Sequence, residues 1–403
     1  ADISQGSITV RGTSYGELVV FQNGQGHSAD RVIVTGSTDT NRLILENIGE
    51  HDVKLVNLQI TSSKFAAVTV SGDTKLVFEG ENMLRGSKNY AGLEKTDDEK
   101  TLTIEGTGTL NVYGGESGAG IGGAAQKSCS NIVINSGTIN AYGGAWGAGI
   151  GSGNVGNISN GYGGNIIING GNVTAIGGQE AAGIGGGFKG SGKNININGG
   201  NVYAVSGGGK NVAAIGGGRV DGVGEDIQIN GGNVTVKSDS GVWIGGKNGE
   251  VKKNSLAVTP TYQDGKDNEF TLYYIWVNEE MLTSKNVSEI FDGAFSYNET
   301  DKVLKADKTI DGNLTITAPD DISIDLSADA SHVVNGELTV NGAKDVKVTK
   351  LAKANADAAI EGKAEITCSG DVILQNLGGS SGRGRNLIKD GLTVHQAASV
   401  TAE

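Results

Sequence analysis

Proline is nearly missing from this chain: Pro260 and Pro319 are the two it has in 403 residues. Collagen needs proline and a glycine at every third position, so the 68 glycines belong to something else. Cysteine is as scarce. Cys129 and Cys368 stand far apart, with no CxxC partner and no neighbouring histidine, which excludes a disulfide framework and a zinc or thioredoxin-type motif. No apolar run reaches the roughly 20 residues of a membrane-spanning helix. A basic surplus is absent too. Lys and Arg total 32 against 45 Asp and Glu, a net charge of −13, and no basic stripe for nucleic acid is present. The charge is uneven: −4 over residues 1–100, +1 over 101–253 and −10 over 254–403. The acidic end reads as a solubilising surface.

What is abundant is glycine, about 17 % against a usual 7 % or so. Much of it lies in one recurring run. GAGIGG at 118–123 returns as GAGIGS at 147–152, AAGIGG at 181–186, VAAIGG at 212–217 and GVWIGG at 241–246. The central apolar residues form a ladder, Leu93, Ile121, Ile150, Ile184, Ile215 and Ile244, with spacings of 28, 29, 34, 31 and 29 residues. Two more columns keep step. One is TLTIEG, NIVINS, NIIING, NINING and DIQING; the other is TLNVYGG, TINAYGG, NVTAIGG, NVYAVSG and NVTVKSD. Each alternates at period two, the signature of a strand, and none has helical periodicity. Ordered alternation of this kind also excludes a disordered chain.

Three short strands in about 30 residues are too few for a propeller blade of 40–45 residues, and they fit one coil of a parallel β-helix. Stacking puts equivalent residues about 4.8 Å apart, so like residues make columns. Ile and Val columns form the core, and Ala141, Ala175 and Ala204 fit where it narrows. Asn135, Asn169, Asn198 and Asn230 are placed to chain their amides. Glycine supplies the positive φ angles of corners.

NGGNVTAIGGQEAAGIGGG and its neighbours resemble coils of right-handed parallel β-helix proteins of bacterial surfaces, over roughly residues 30–253. The resemblance implies an all-β fold, an extracellular bacterial location, and a role as an adhesin or carbohydrate-binding solenoid. Partners would be a polysaccharide or a host or cell-wall glycan, bound by a monomer without cofactor or membrane insertion.

Four regions follow: an N-terminal cap over 1–30, a first β-helix over 31–253, a small mixed α/β cap or linker over 254–306, and a second, shorter β-helix over 307–403. The third holds eight of the 20 aromatics, and SKNVSEIFDG within it reads as a short helix capped at Ser284 or Asn286 and stopped by Gly293. In the last, Thr315, Thr339, Thr367 and Thr393 mark the repeat. The start ADIS reads as a processed one, and the stop at TAE in mid-coil predicts a longer natural protein.

No motif for chemistry is complete. GAGIGG is followed by no helix, so it is neither a P-loop nor a dinucleotide fingerprint. GGRVDGVGED comes nearest to a calcium-binding nonapeptide but has the wrong spacing. Acidic clusters occur at Asp97, Asp98 and Glu99 and at Asp221, Glu225 and Asp226, where a β-helix lyase or hydrolase would need paired carboxylates. The blander reading, solvated turns, fits them better. The histidines, His27, His51, His332 and His395, are scattered. Ligand-binding candidates are the aromatics on outward or flanking positions, Tyr113, Tyr142, Trp146, Tyr203 and Trp243, with Glu116 and Glu180 just before the glycine runs. Exposed rings in a column can stack on sugar rings; the competing reading is that they cover glycine-rich loops. A polysaccharide-degrading enzyme and a plain structural spacer are the two alternatives.

Overall fold

The computed structural model describes residues 1–402 apart from 157, 159, 248, 251–255, 279, 291–292, 330–331, 352–357 and 378–386. Among the described residues the fold is all-β, with a single 3-10 turn at Ile3–Gln5. The chain forms two compact units, Ala1–Glu269 and Phe270–Glu403.

In the first unit each coil carries three strands, and equivalent strands pair in parallel. Leu102, Ile132, Ile166, Ile195 and Ile227 stand in one register column, all buried. Leu93, Ile121, Ile150, Ile184, Ile215 and Ile244 stand in another, all fully buried. Burying one such side chain stabilises by about 1.5–3 kcal/mol, so the ladders supply the driving force that a helix-poor, glycine-rich chain needs. The asparagine column forms as expected. Asn169 donates to Asn135 at 3.0 Å, Asn198 to Asn169 at 2.9 Å and Asn230 to Asn198 at 2.9 Å. A second amide ladder joins Asn131, Asn165 and Asn194, each with φ near +50–60°, at 3.0 and 2.7 Å. Asparagine tolerates that left-handed backbone, which explains its recurrence just before the buried Ile132, Ile166 and Ile195.

At the start of the unit, Ile8–Gly12 pairs in parallel with Leu43–Glu46 and antiparallel with Leu18–Gln22. Gln25–Ala29 adds a third, antiparallel strand outside these.

The glycine runs are strands of two or three residues, such as Ile121–Gly122 and Ile244–Gly246, yet every residue from Ser117 to Ala124 is buried. Loops that enter and leave the run meet beside it. The Asn154 amide donates to the Ser117 carbonyl at 2.8 Å, and Phe188 to Trp146 at 2.9 Å. A Cβ on Gly147 would lie 1.9 Å from the Gly118 carbonyl oxygen, and one on Gly120 would lie 2.6 Å from that of Gly149. Space, more than φ, selects glycine here.

The second unit opens with antiparallel pairs, Leu272–Val277 with Glu280–Thr283 and Phe295–Asn298 with Val303–Ala306. Parallel coils follow, with Ile316, Val340, Ile366 and Val394 in register. Two expectations are corrected. Residues 284–290 form turns, not a helix, because the Asn286 side chain folds back, accepting from the Thr283 amide at 2.7 Å and donating to the Met281 carbonyl at 2.9 Å. Residues 291–292 lie outside the described ones. The threonine ladder is also out of step at its third rung, where Glu365, not Thr367, pairs with Thr339 and Thr393. The core column Ile316–Val340–Ile366 sets that register.

Candidate functional site

Tyr113 and Tyr142 are neighbours in register on Thr109–Tyr113 and Thr138–Tyr142. Their outward column reads Thr61, Arg85, Tyr113, Tyr142, Ile176, Val205 and Lys237. Two residues earlier on each strand lies a parallel outward column, Gln59, Met83, Asn111, Asn140, Thr174, Tyr203 and Thr235. The alternating burial of these strands turns the residues between the columns into the core. Tyr113, Tyr142 and Tyr203 therefore share one sheet face.

The two tyrosine rings stack at 4.9 Å between centroids and 6° between planes. The Arg85 guanidinium covers the other face of Tyr113, 4.2 Å from its centroid. Both faces of the Tyr113 ring are thus occupied. What the pair offers a ligand is ring edges and phenol hydroxyls, beside the amides of Asn111 and Asn140, which bond each other at 2.8 Å.

The remaining candidates do not join this face. Glu116, Trp146 and Glu180 lie around the corner, on the loops before the glycine runs. Trp146 is exposed, Glu116 pairs with Lys88 at 3.4 Å, and Glu180 grips the Arg219 guanidinium through both oxygens at 2.6 Å. Trp243 is a correction, because it is buried. Its ring meets Tyr262 edge-on at 6.1 Å and 90°, and its indole N–H donates to the Gln263 carbonyl at 2.8 Å. At that position Gly120, Gly149 and Gly183 are pressed against neighbouring backbone, the next coil holds Ala214, and the coil after it holds the indole.

The acidic clusters have structural partners. Asp98 accepts from the Ser130 amide at 3.2 Å, Asp97 from the Glu99 amide at 3.0 Å, Asp221 pairs with Lys247 at 2.6 Å and Glu225 with Lys193 at 3.0 Å. Among the described residues no group of three or more His, Cys, Asp or Glu is placed to hold a metal ion. One carboxylate had no sequence signal: Glu94, in register with Gly122, is 9 % exposed and its Oε2 has no hydrogen-bond partner. Burial pushes its carboxyl above the ordinary range, against the pull of the Ala91 amide and of Lys127 and Arg42.

An open hollow of about 390 Å³ sits where the tyrosine face begins, lined by Ser37, Thr38, Asp39, Gln59, Thr61 and Met83. It exists because Val32–Thr38 pairs with Asp52–Thr61 through an irregularity at Val34/Gly36 and then leaves the sheet. Thr38 Oγ1 receives the amides of Thr40 and Asn41, turning the chain away. The register could have pointed here, since Gln59, Thr61, Met83 and Arg85 precede Asn111 and Tyr113 in the same two columns.

No curated protein and no solved structure matches the chain. Residues 132–154, 166–188 and 195–219 match a family model described as a beta helix repeat, and these three stretches are successive coils of the stack. The match and the coil register agree on one fold, a parallel β-helix.

Proposed function

We propose that this is a non-catalytic surface protein of a bacterium, an adhesin or carbohydrate-binding solenoid that holds a glycan along its tyrosine face. The observation that carries the reading is the pair of outward columns, which set Tyr113, Tyr142 and Tyr203 beside Asn111, Asn140, Thr174 and Thr235 on successive rungs about 4.8 Å apart. A regular polar and aromatic lattice suits a repeating partner, and no cofactor is needed to bind one. The extracellular location rests on the resemblance of the coil sequences. In the two acidic clusters Asp97, Asp98, Asp221 and Glu225 are engaged in turns and ion pairs, which favours binding over cleavage.

A glycan array followed by titration tests this. Binding without product release is expected. Tyr142→Ala should weaken it about 3- to 10-fold, the range for losing an aromatic contact. Chain cleavage, or an affinity indifferent to both Tyr113→Ala and Tyr142→Ala, overturns the reading.

A further inference from the structure

The strands of the sheet that bears the tyrosine face carry five basic side chains: Lys54, Lys75, Arg85, Lys193 and Lys237. Four are ion-paired: Lys54 with Glu79, Lys75 with Asp52 and Glu105, Lys193 with Glu225, and Lys237 with Asp267. Arg85 is the exception. It is exposed, its guanidinium carbon sits 4.2 Å from the centre of the Tyr113 ring, and among the described residues no carboxylate meets it. A guanidinium held by a ring keeps its in-plane N–H donors free, in the fork that matches a carboxylate or sulfate.

Arg85 also has a place. It follows Thr61 in the outward column and stands two residues from Met83, and both of these line the hollow. The side chains of Ser37, Asp39, Gln59 and Thr61 around that hollow make no hydrogen bond to any described residue. They provide a hydroxyl, a carboxylate, an amide and a second hydroxyl, over the apolar floor of Met83. A volume of about 390 Å³ is within the range of small-ligand sites. A carboxylate such as Asp39 suits sugar hydroxyls and opposes an anion, which leaves the Arg85 side for an acidic group.

We propose that the hollow is the anchoring subsite for a saccharide unit bearing a carboxylate or sulfate, with Arg85 binding the acidic group and Ser37, Asp39, Gln59 and Thr61 the hydroxyls. This rests on the glycan-binding reading and names its ligand class. The rest of the chain of sugars then follows the columns toward Tyr113 and Tyr142.

The test is calorimetric titration of the full chain with three tetrasaccharides: an oligogalacturonate, a sulfated galactan and a neutral galactan. One or both acidic ligands should bind at least 10-fold tighter than the neutral one, and which of them does so identifies the group. Arg85→Gln should remove that preference and leave neutral binding within 2-fold, while Arg85→Lys keeps part of it. Lys210→Gln, at an exposed lysine on a loop, should change nothing. Equal binding of all three ligands with no effect of Arg85→Gln overturns the subsite and leaves the glycan reading standing. A Lys210→Gln loss as large as that of Arg85→Gln overturns it as unspecific charge attraction. No binding of any of the three by the unmodified chain overturns it outright, and the array then judges the broader reading alone. Thermal melts of the Arg85 variants confirm that each is folded.

Discussion

Gly147 stands directly over the Gly118 carbonyl: a Cβ added there would lie 1.9 Å from that oxygen. No real contact is so short, so the Gly118 backbone admits only glycine at 147, although the same column goes on to Ala181 and Val212 in the next two coils.

Gly147→Ala should therefore destabilise the first unit by about 2–4 kcal/mol, the cost of overpacking where only backbone can give way. Gly208→Ala is the control. Nothing lies within 4 Å of a Cβ at Gly208, so the change should be neutral or stabilise by up to about 1 kcal/mol. Urea denaturation of both variants checks the contrast.

Asn169 both donates to Asn135 and accepts from Asn198. Asn169→Ala should cost about 1–2 kcal/mol, since it breaks two amide bonds and takes one partner each from the Asn135 oxygen and the Asn198 amide. Asn169→Asp can still accept but cannot donate, and should fall between Ala and the parent in the same denaturation series.

These two cases mark what was legible in the sequence. In-register stacking makes like residues recur at fixed intervals, so the isoleucine ladder, the asparagine ladder and the three-strand coil could all be read from spacing. Exposure could not. Trp146 stands just before its glycine run and is exposed, while Trp243 stands inside its run, where earlier coils have Gly120, Gly149, Gly183 and Ala214, and is buried against Tyr262. That depends on what lies one coil further on. The ring pair was legible as a column, but its closed stacking geometry was not, because a register gives which side chains are neighbours and not how their planes turn. Arg85 and the hollow depend on an irregular first coil, which has no repeat to compare with.

Glu94 gives a pH test. Its carboxyl is raised above the ordinary range, chiefly by burial, so the folded chain holds that proton more firmly than the unfolded chain. Below the unfolded value both states are protonated and nothing is lost. As pH rises through the interval between the unfolded and folded values, a penalty appears, and above the folded value it is complete. Glu94→Gln should thus melt higher than the parent at pH 7, with the gap closing near pH 4 and below. Melting curves from pH 3 to 8 check this, and a gap that does not depend on pH would contradict it.

Cys129 is fully buried, and desolvation pushes its thiol up to about 12. It should resist iodoacetamide at pH 8 in the native protein and react fully once the chain is unfolded in urea. Cys368 is buried as well and shifted in the same direction. Mass spectrometry of the alkylated peptides would report the opening of each unit separately, because Cys129 lies in the first and Cys368 in the second.

The ladder spacings of 28, 29, 34, 31 and 29 residues have a use beyond the fold. Between the first and second strands of a coil the chain length is constant: Ile134 to Thr138, Ile168 to Asn172, Ile197 to Asn201 and Ile229 to Asn233 are each four residues. The difference falls on the segments around the glycine runs, as between Ile150 and Ile166, where the coil takes in extra residues while Ile166 still pairs with Ile132 and Ile195. Those segments are ready-made insertion points. A foreign epitope or enzyme-cleavable tag placed beside the exposed Asn160 lies beyond Asn154 and Val155, whose backbones bond to Ser117 and Phe188 of the neighbouring coils, and would be displayed at a known rung with those bonds kept.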